Sequence, residues 1–245
     1  PALVAAASKS NEFVDITIHL AANITCTSDS FAGIGSADVP FCGTFDGQNY
    51  TISNFKITKK TDKNDGNKSS YGFFGNVEGT IKNLTIDNAS VTAYAYTAIL
   101  VGRLTNGTLE NCHVKNSTIV SAPELVNGAY DNGDKVGGIV GYSGSTITYS
   151  KLANKANINI TGAVSKSIYL AGCVAYSDGA LDSCQNLGNI TFEPSSATGR
   201  FYFAGISYYC KNVINCTNGS DQKDELDKFG NITVKALGAN GAFCG

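Results

Sequence analysis

The chain has 245 residues, of which 16% are charged, with a formal net charge of -2 and an isoelectric point near 5.7. That balance offers no basic surface for nucleic acid or anionic lipid, and no apolar run approaches the roughly 20 residues of a membrane span. A chain of this length buries a sizeable core as one elongated domain, and 27 glycines against 4 prolines suit a backbone that turns many corners on Gly and Asn.

Residues 1–40 read as an N-terminal strand and loop. The first residue is Pro and Met is absent, which indicates a processed or excised piece. From Glu12 to Thr25, Phe13, Ile16, Ile18, Leu20 and Ile24 largely alternate with polar neighbours, which predicts a strand capping the open end of a solenoid. Residues 41–245 are repetitive. Phe41 to Ile57 gives two strands hinged on Asp46-Gly47, and Tyr71 to Ala93 and Thr97 to Ala122 are two further units. Three more open on K-V-G-G-I-V-G-Y from Lys135, A-G-C-V-A-Y from Ala171 and A-G-I-S-Y-Y from Ala204. In these, Gly138, Gly172 and Gly205 mark one position, 34 and then 33 residues apart. Self-similarity at that period means that each unit buries its apolar face only against its neighbours.

Each unit holds short segments rich in Val, Ile, Thr and Tyr, bounded by Gly, Asn and Ser, and these are strands. Three strands and a return per repeat make one coil, so the expected fold is all-β: a right-handed parallel β-helix, or solenoid, of about six three-strand coils. Leucine-rich repeats lack their Leu columns here, and helical repeats would need Ala, Leu, Glu and Lys where this chain places Asn, Gly and Thr. The insertions Thr58 to Ser70, Ser121 to Asp134, Ala163 to Ser167 and Pro194 to Arg200 fall between coils and crowd one edge, a surface where repeat proteins bind. Asp221 to Phe229 leaves from another corner and is the one candidate helical turn.

F-x-G-T-F-D-G-x-x-Y-T-I-x-N-F-x-I, then G-x-F-G-x-V-x-G-T-I-x-N-L-T-I, then repeated G-G-I-V-G-Y with T-I-x-x-S or L-x-x-C, resembles the GLUG-motif β-helix repeats of bacterial surface and adhesin-like proteins. The resemblance covers nearly everything after Phe41 and implies a secreted or cell-surface location. Ala175 and Tyr208 depart from it, replacing the second glycine.

Cys112, Cys184 and Cys216 share one repeat position, and Cys173 matches Ile139 and Ile206. The plainer account makes them small buried hydrophobes in an interior stack. The alternative is disulfides, for which the candidates are Cys184 with Cys216 on adjacent coils and Cys26 with Cys42. His19 and His113 lie beside outward strand positions and no C-x-x-C occurs, so no metal site is expected. Twelve N-x-[ST] triplets begin at Asn23, Asn49, Asn67, Asn83, Asn88, Asn106, Asn116, Asn159, Asn189, Asn215, Asn218 and Asn231. Corner sequences of Asn, Ile and Thr generate the triplet automatically, and Asn159, Asn189 and Asn231 each begin N-I-T at what reads as one repeat position. In a eukaryotic secretory protein the exposed ones are glycosylation candidates.

Parallel β-helices also host polysaccharide lyases and hydrolases, whose chemistry needs clustered carboxylates with calcium, or acid and base pairs on neighbouring coils. Glu78, Glu110, Asp178 and Asp182 are scattered over different repeat positions, so neither catalysis nor a cofactor is expected. Binding is the favoured function. Tyr142, Tyr176 and Tyr209 each lie four residues after the shared glycine, with Arg103 next in line. Their parity is opposite to that of Ile139, Cys173 and Ile206, which makes them an outward column for stacking a glycan or a partner's surface. A structural ladder is the plainer alternative. Thr161, Thr191 and Thr233 in the N-I-T rows raise ice binding as a variant.

The other reading is structural. Ala239 to Gly245 resembles the first strand of a further coil, with Phe243 at the position of Ile206. An uncapped solenoid end is a template for more of the same protein, in downstream sequence or in a further copy stacked into a filament. Pro1 to Ser10 is a strand that such a copy would receive.

Overall fold

The computed structural model describes residues 13–27, 31–58, 70–121, 134–161, 163–164, 167–197, 200–219, 231–234 and 241–243. These residues contain strands and corners but no helix, and each strand runs parallel to its hydrogen-bonded neighbour. The main ladder runs in chain order through Thr17–His19, Thr44–Asp46, Thr80–Asp87, Gly107–Ser121, Leu152–Ile160, Cys184–Asn186 and Thr217–Asn218. A second ladder joins Ser70–Tyr71, Tyr96–Ala98, Asp134–Gly137, Ile168–Ala171, Phe201–Ala204 and Gly241–Phe243, and a third joins Phe74–Val77, Val101–Leu104, Val140–Ser143 and Val174–Ser177. The described residues are thus all-β with parallel sheets, an arrangement consistent with a β-helix or solenoid.

Interior columns show why the sequence adopts this arrangement. Leu84, Cys112, Leu152, Cys184 and Cys216 stack in one register, so the repeated cysteine position is a core position. Cys112, Cys173 and Cys184 are buried with it. Another column begins with Ile24, Ile52, Ile86 and Val114 and continues as Asn154, Asn186 and Asn218. Asn186 accepts from Gly188 N at 3.1 Å and from Asn154 Nδ2 at 2.9 Å, while donating to Gly188 O at 3.2 Å and to Asn218 Oδ1 at 2.8 Å. A fully satisfied buried amide ladder fixes register as well as stability. Each asparagine packs under a repeat glycine: a Cβ on Gly138 or Gly172 would overlap the amide of Asn154 or Asn186.

The outer corners follow an equally regular rule. Asn49, Asn83, Asn111, Lys151, Ser183 and Asn215 form one column in the left-handed region, with φ between 45 and 65°. Asn54, Asn88 and Asn116 form a second. Asparagine tolerates this conformation better than most residues, so corner geometry by itself accounts for the triplets at Asn49, Asn83, Asn88, Asn116 and Asn215.

Several sequence expectations change in the structure. Residues 13–27 are not one capping strand: Thr17–His19 and Ile24–Thr25 are separate strands, in register with Thr44–Asp46 and Thr51–Ser53, because this segment turns a corner like every later one. Asn159 does not share a row with Asn189 and Asn231. Ile158 pairs with Ile190, placing Asn159 beside Thr191 and Thr233, since N-I occurs twice in succession from Asn157. That shift also breaks the three-threonine row. Phe243 pairs with Phe203 rather than standing at the position of Ile206. Two of the insertions meet, as Ala163–Val164 pairs with Ser196–Ala197. The expectations for Pro1 to Ser10, Asn67 and Asp221 to Phe229 lie outside the described residues, as do residues 59–69 and 122–133 of the other insertions.

Candidate functional site

Asp134–Gly137 and Val140–Ser143 are joined by Gly138 and Ile139, and the corner between them folds inward on its outer side. Gly141 makes this possible. A Cβ there would stand 2.9 Å from Thr97 N and 3.0 Å from Lys135 O, so only glycine lets the two strand backbones touch. One coil on, the same position is Ala175, packed with Ala171, Ala204 and Tyr208. The departures from the glycine pattern therefore close the floor at one end.

The outward side chains of both strands converge over that floor. One wall is the column expected from the sequence: Arg103, Tyr142, Tyr176 and Tyr209 are successive register partners. The facing wall is Tyr96, Lys135, Tyr169 and Tyr202, also in register. Of these, all but Tyr202 line, together with Tyr208, a groove of about 410 Å³. The facing wall was open to the same arithmetic, because Lys135, Tyr169 and Tyr202 each lie three residues before the repeat glycine. The inward fold of the corner, which brings the walls together, has no sequence signal beyond the small residue at 141 and 175.

Ring geometry decides what the groove presents. Tyr142 and Tyr176 stack at 5.5 Å and 12°, Tyr176 and Tyr209 at 4.7 Å and 15°, and Tyr169 and Tyr202 at 4.8 Å and 4°. The faces are thus turned toward one another along the ladder, and the columns show ring edges and hydroxyls outward. Ring edges rather than faces therefore line this part of the groove, and Tyr209 is 47% exposed. The cations take ring places in the stacks. Arg103 lies 5.7 and 5.3 Å from the Tyr96 and Tyr142 centroids, and Lys135 lies 5.4, 5.0 and 5.7 Å from Tyr96, Tyr169 and Tyr176, within cation–π range.

Lys135 is 4% exposed, and burial, only partly offset by the nearby Asp134, lowers its pKa to about 8. Tyr142 donates to Asp178 Oδ2 at 3.0 Å; burial first, and then that bond, push its hydroxyl up to about 12. Arg103 Nε is buried without a hydrogen-bond partner.

The other candidate residues are placed apart from this groove. The seven described cysteines are all free thiols, so neither Cys26 with Cys42 nor Cys184 with Cys216 is joined. Cys184 and Cys216 are nevertheless register neighbours, and Cys184 N donates to Cys216 Sγ at 3.3 Å. Among the described residues no cluster of His, Cys, Asp and Glu is arranged to hold a metal ion.

Fold and groove together define an all-β protein of stacked parallel strands with an aromatic, cationic groove on its outer surface. No family model matches the chain, and no solved structure matches it. Over 107 residues, 43% of the chain, it is 36% identical to Halomucin of Haloquadratum walsbyi (strain DSM 16790 / HBSQ001), and the chain covers 1% of that protein's length. Among the described residues no helix is long and apolar enough to cross a membrane.

Proposed function

We propose that this chain is a right-handed parallel β-helix module of an extracellular or cell-surface protein, without catalytic activity, that binds a glycan or another surface through the tyrosine groove. The main ladder, whose strands follow one another in chain order, supports the solenoid reading. The GLUG-like motifs and the partial likeness to Halomucin support the location. The observation that carries the binding reading is the convergence of two aromatic columns on one groove, an expensive exterior for a chain that could cover those strands with polar residues. Carboxylates are spread singly: Glu78 bonds Thr105, Asp182 bonds Ser183, and Asp178 bonds Tyr142. Binding to a printed panel of neutral and acidic oligosaccharides, compared with that of the Tyr142, Tyr176 and Tyr209 triple alanine variant, tests the reading. Binding lost in the variant with an unchanged circular dichroism spectrum supports it; a variant that binds as well as the parent sinks it.

A second reading has its own observation. Val14, Ile16 and Ile24 on the first rung and Val213 and Ile214 on a late one are the exposed large aliphatic side chains among the described residues. Aliphatic exposure on the first described rung and on a late one suits a structural subunit on which further coils stack, through contacts that do not close. Light scattering on the parent and on a Val213→Ser, Ile214→Ser double variant tests this. Concentration-dependent growth that the variant abolishes supports stacking, and a monomer at every concentration removes it.

A further inference from the structure

We propose that the groove takes an acidic glycan, a chain of sugar units bearing carboxylate or sulfate groups, with an acidic group seated at Arg103 and Lys135. The inference rests on the groove-binding reading and adds the chemistry of the ligand.

Three observations on the groove converge. First, among the described residues its lining consists of tyrosines, one arginine and one lysine, with no carboxylate. Asp178 stands at the rim, held by the Tyr142 hydroxyl. Arg200 stands close enough to Tyr169 to act on its hydroxyl electrostatically, and Asp134, which accepts from Ala95 N at 3.1 Å, lies near enough to Lys135 to act on its charge. Second, Arg103 keeps a buried Nε with no hydrogen-bond partner, which marks a guanidinium whose bonding capacity is unfilled. An anion is the partner its fork geometry suits best. Third, the stacked tyrosines turn their edges outward, and an aromatic edge carries the positive rim of the ring quadrupole. The ring edges add to the positive charge around Arg103, while the Asp178 carboxylate at the rim takes the Tyr142 hydroxyl.

The same geometry excludes other ligands. An organic cation needs open aromatic faces, but those of Tyr96, Tyr142, Tyr169 and Tyr176 are already engaged by Arg103, by Lys135 or by each other. Nucleic acid is held through many phosphate contacts from a basic surface, whereas this chain carries a net charge of -2. A glycan fits the remaining requirement. Rungs repeat every 4.8 Å or so, close to the length of one sugar unit, so successive tyrosine hydroxyls meet successive units. Tyr209, 47% exposed, is the ring against which a sugar unit packs.

Isothermal titration with four polymers tests the assignment: polygalacturonate against its methyl ester, and dextran sulfate against dextran. At least one charged member is expected to bind about tenfold or more tighter than its neutral counterpart, the size of one charge-assisted contact, and to weaken as salt is added. The pair that shows the difference tells carboxylate from sulfate. Arg103→Gln is expected to remove about tenfold of that affinity, and Asp178→Asn to increase it. Arg103→Lys serves as the second variant if the glutamine form melts early, and it should retain part of the binding. Equal binding of charged and neutral polymers, still sensitive to Tyr209→Ala, overturns the acidic assignment and leaves the groove reading standing. Binding of a single-stranded oligothymidylate as tight as that of the charged glycans overturns the glycan class. No binding of any of the four polymers overturns the proposal.

Discussion

Gly172 lies directly against the side-chain amide of Asn186, so closely that a methyl group on its α-carbon would overlap it. The glycine is there because the asparagine is, and the two repeat together as Gly138 with Asn154 and Gly205 with Asn218. Removing either partner has a calculable cost. Asn186→Ala leaves the buried Gly188 N–H and carbonyl and two neighbouring amides short of partners, about 2–4 kcal/mol. Gly172→Ala overpacks the same site by about 1–3 kcal/mol. Chemical denaturation of both variants measures this, and losses below about 0.5 kcal/mol would place them with neutral surface changes and show that the ladder does not stabilise the fold.

Much of this was legible in the sequence, and the reason is periodicity. The 34- and 33-residue spacing of Gly138, Gly172 and Gly205 carried the outward tyrosine column and the cysteine column into register, because each residue keeps its place when a coil is added. Where a motif repeats inside a coil the arithmetic slips: N-I-N-I from Asn157 allowed two alignments, and packing of Ile158 on Ile190 selects the other one. Shape was not legible. That Gly141 marks an inward corner, and that the tyrosine faces cover one another, depends on distances between strands that no single repeat encodes.

Lys135 should titrate apart from the other lysines. Its folded pKa, about 8, lies below its ordinary value of 10.5, so between those pH values the unfolded chain holds more protons. Stability from this group therefore rises with pH across that window and is lost as pH falls through 8. Burial raises the hydroxyl pKa values of Tyr96, Tyr142, Tyr169 and Tyr176, so over pH 7 to 9 the change in groove charge is that of Lys135. A carbon NMR titration of the lysine Cε signals should show one midpoint near 8. A set that all titrates above 10 would contradict the burial of this amine among rings.

Cys216 is the cysteine expected to react first. The thiol and backbone N–H of Cys184 both point to its sulfur, which lowers its pKa, while the same contact and burial push the Cys184 thiol upward. Thiolate is the attacking form. Iodoacetamide at pH 7 should modify Cys216 ahead of Cys112 and Cys173, which are buried and have pKa values raised by desolvation. Cys184→Ala should slow that modification by removing the thiol donor. With glutathione disulfide as oxidant, the two register neighbours, about 4.8 Å apart as adjacent strands, should close into a disulfide, seen as a loss of two mass units with one glutathione disulfide reduced to two thiols. Uniform alkylation of all eight cysteines, or no closure, would count against the contact.

The sequons divide by which amide atom the ladder uses. Asn83 Nδ2 donates to Asp46 Oδ1 at 3.1 Å, Asn88 Nδ2 to Asn54 Oδ1 at 2.8 Å, and Asn116 Nδ2 to Asp87 Oδ1 at 2.9 Å. A sugar attached to any of these nitrogens must displace its acceptor and wedge two coils apart at a corner held in the left-handed region. At Asn23, Asn106 and Asn189 the bonded atom is the oxygen instead, accepting from Thr51 N at 2.8 Å, Thr146 Oγ1 at 3.1 Å and Asn231 N at 3.1 Å. All three residues are exposed, and their nitrogens are placed to carry a glycan without breaking the ladder. Secreted from a eukaryotic host, the chain should therefore show glycopeptides at Asn23, Asn106 and Asn189 and unmodified peptides at Asn83, Asn88 and Asn116. Full occupancy at Asn83 or Asn116 in a protein that melts at the temperature of its enzymatically deglycosylated form would show that these corner amides do not hold the coils in register.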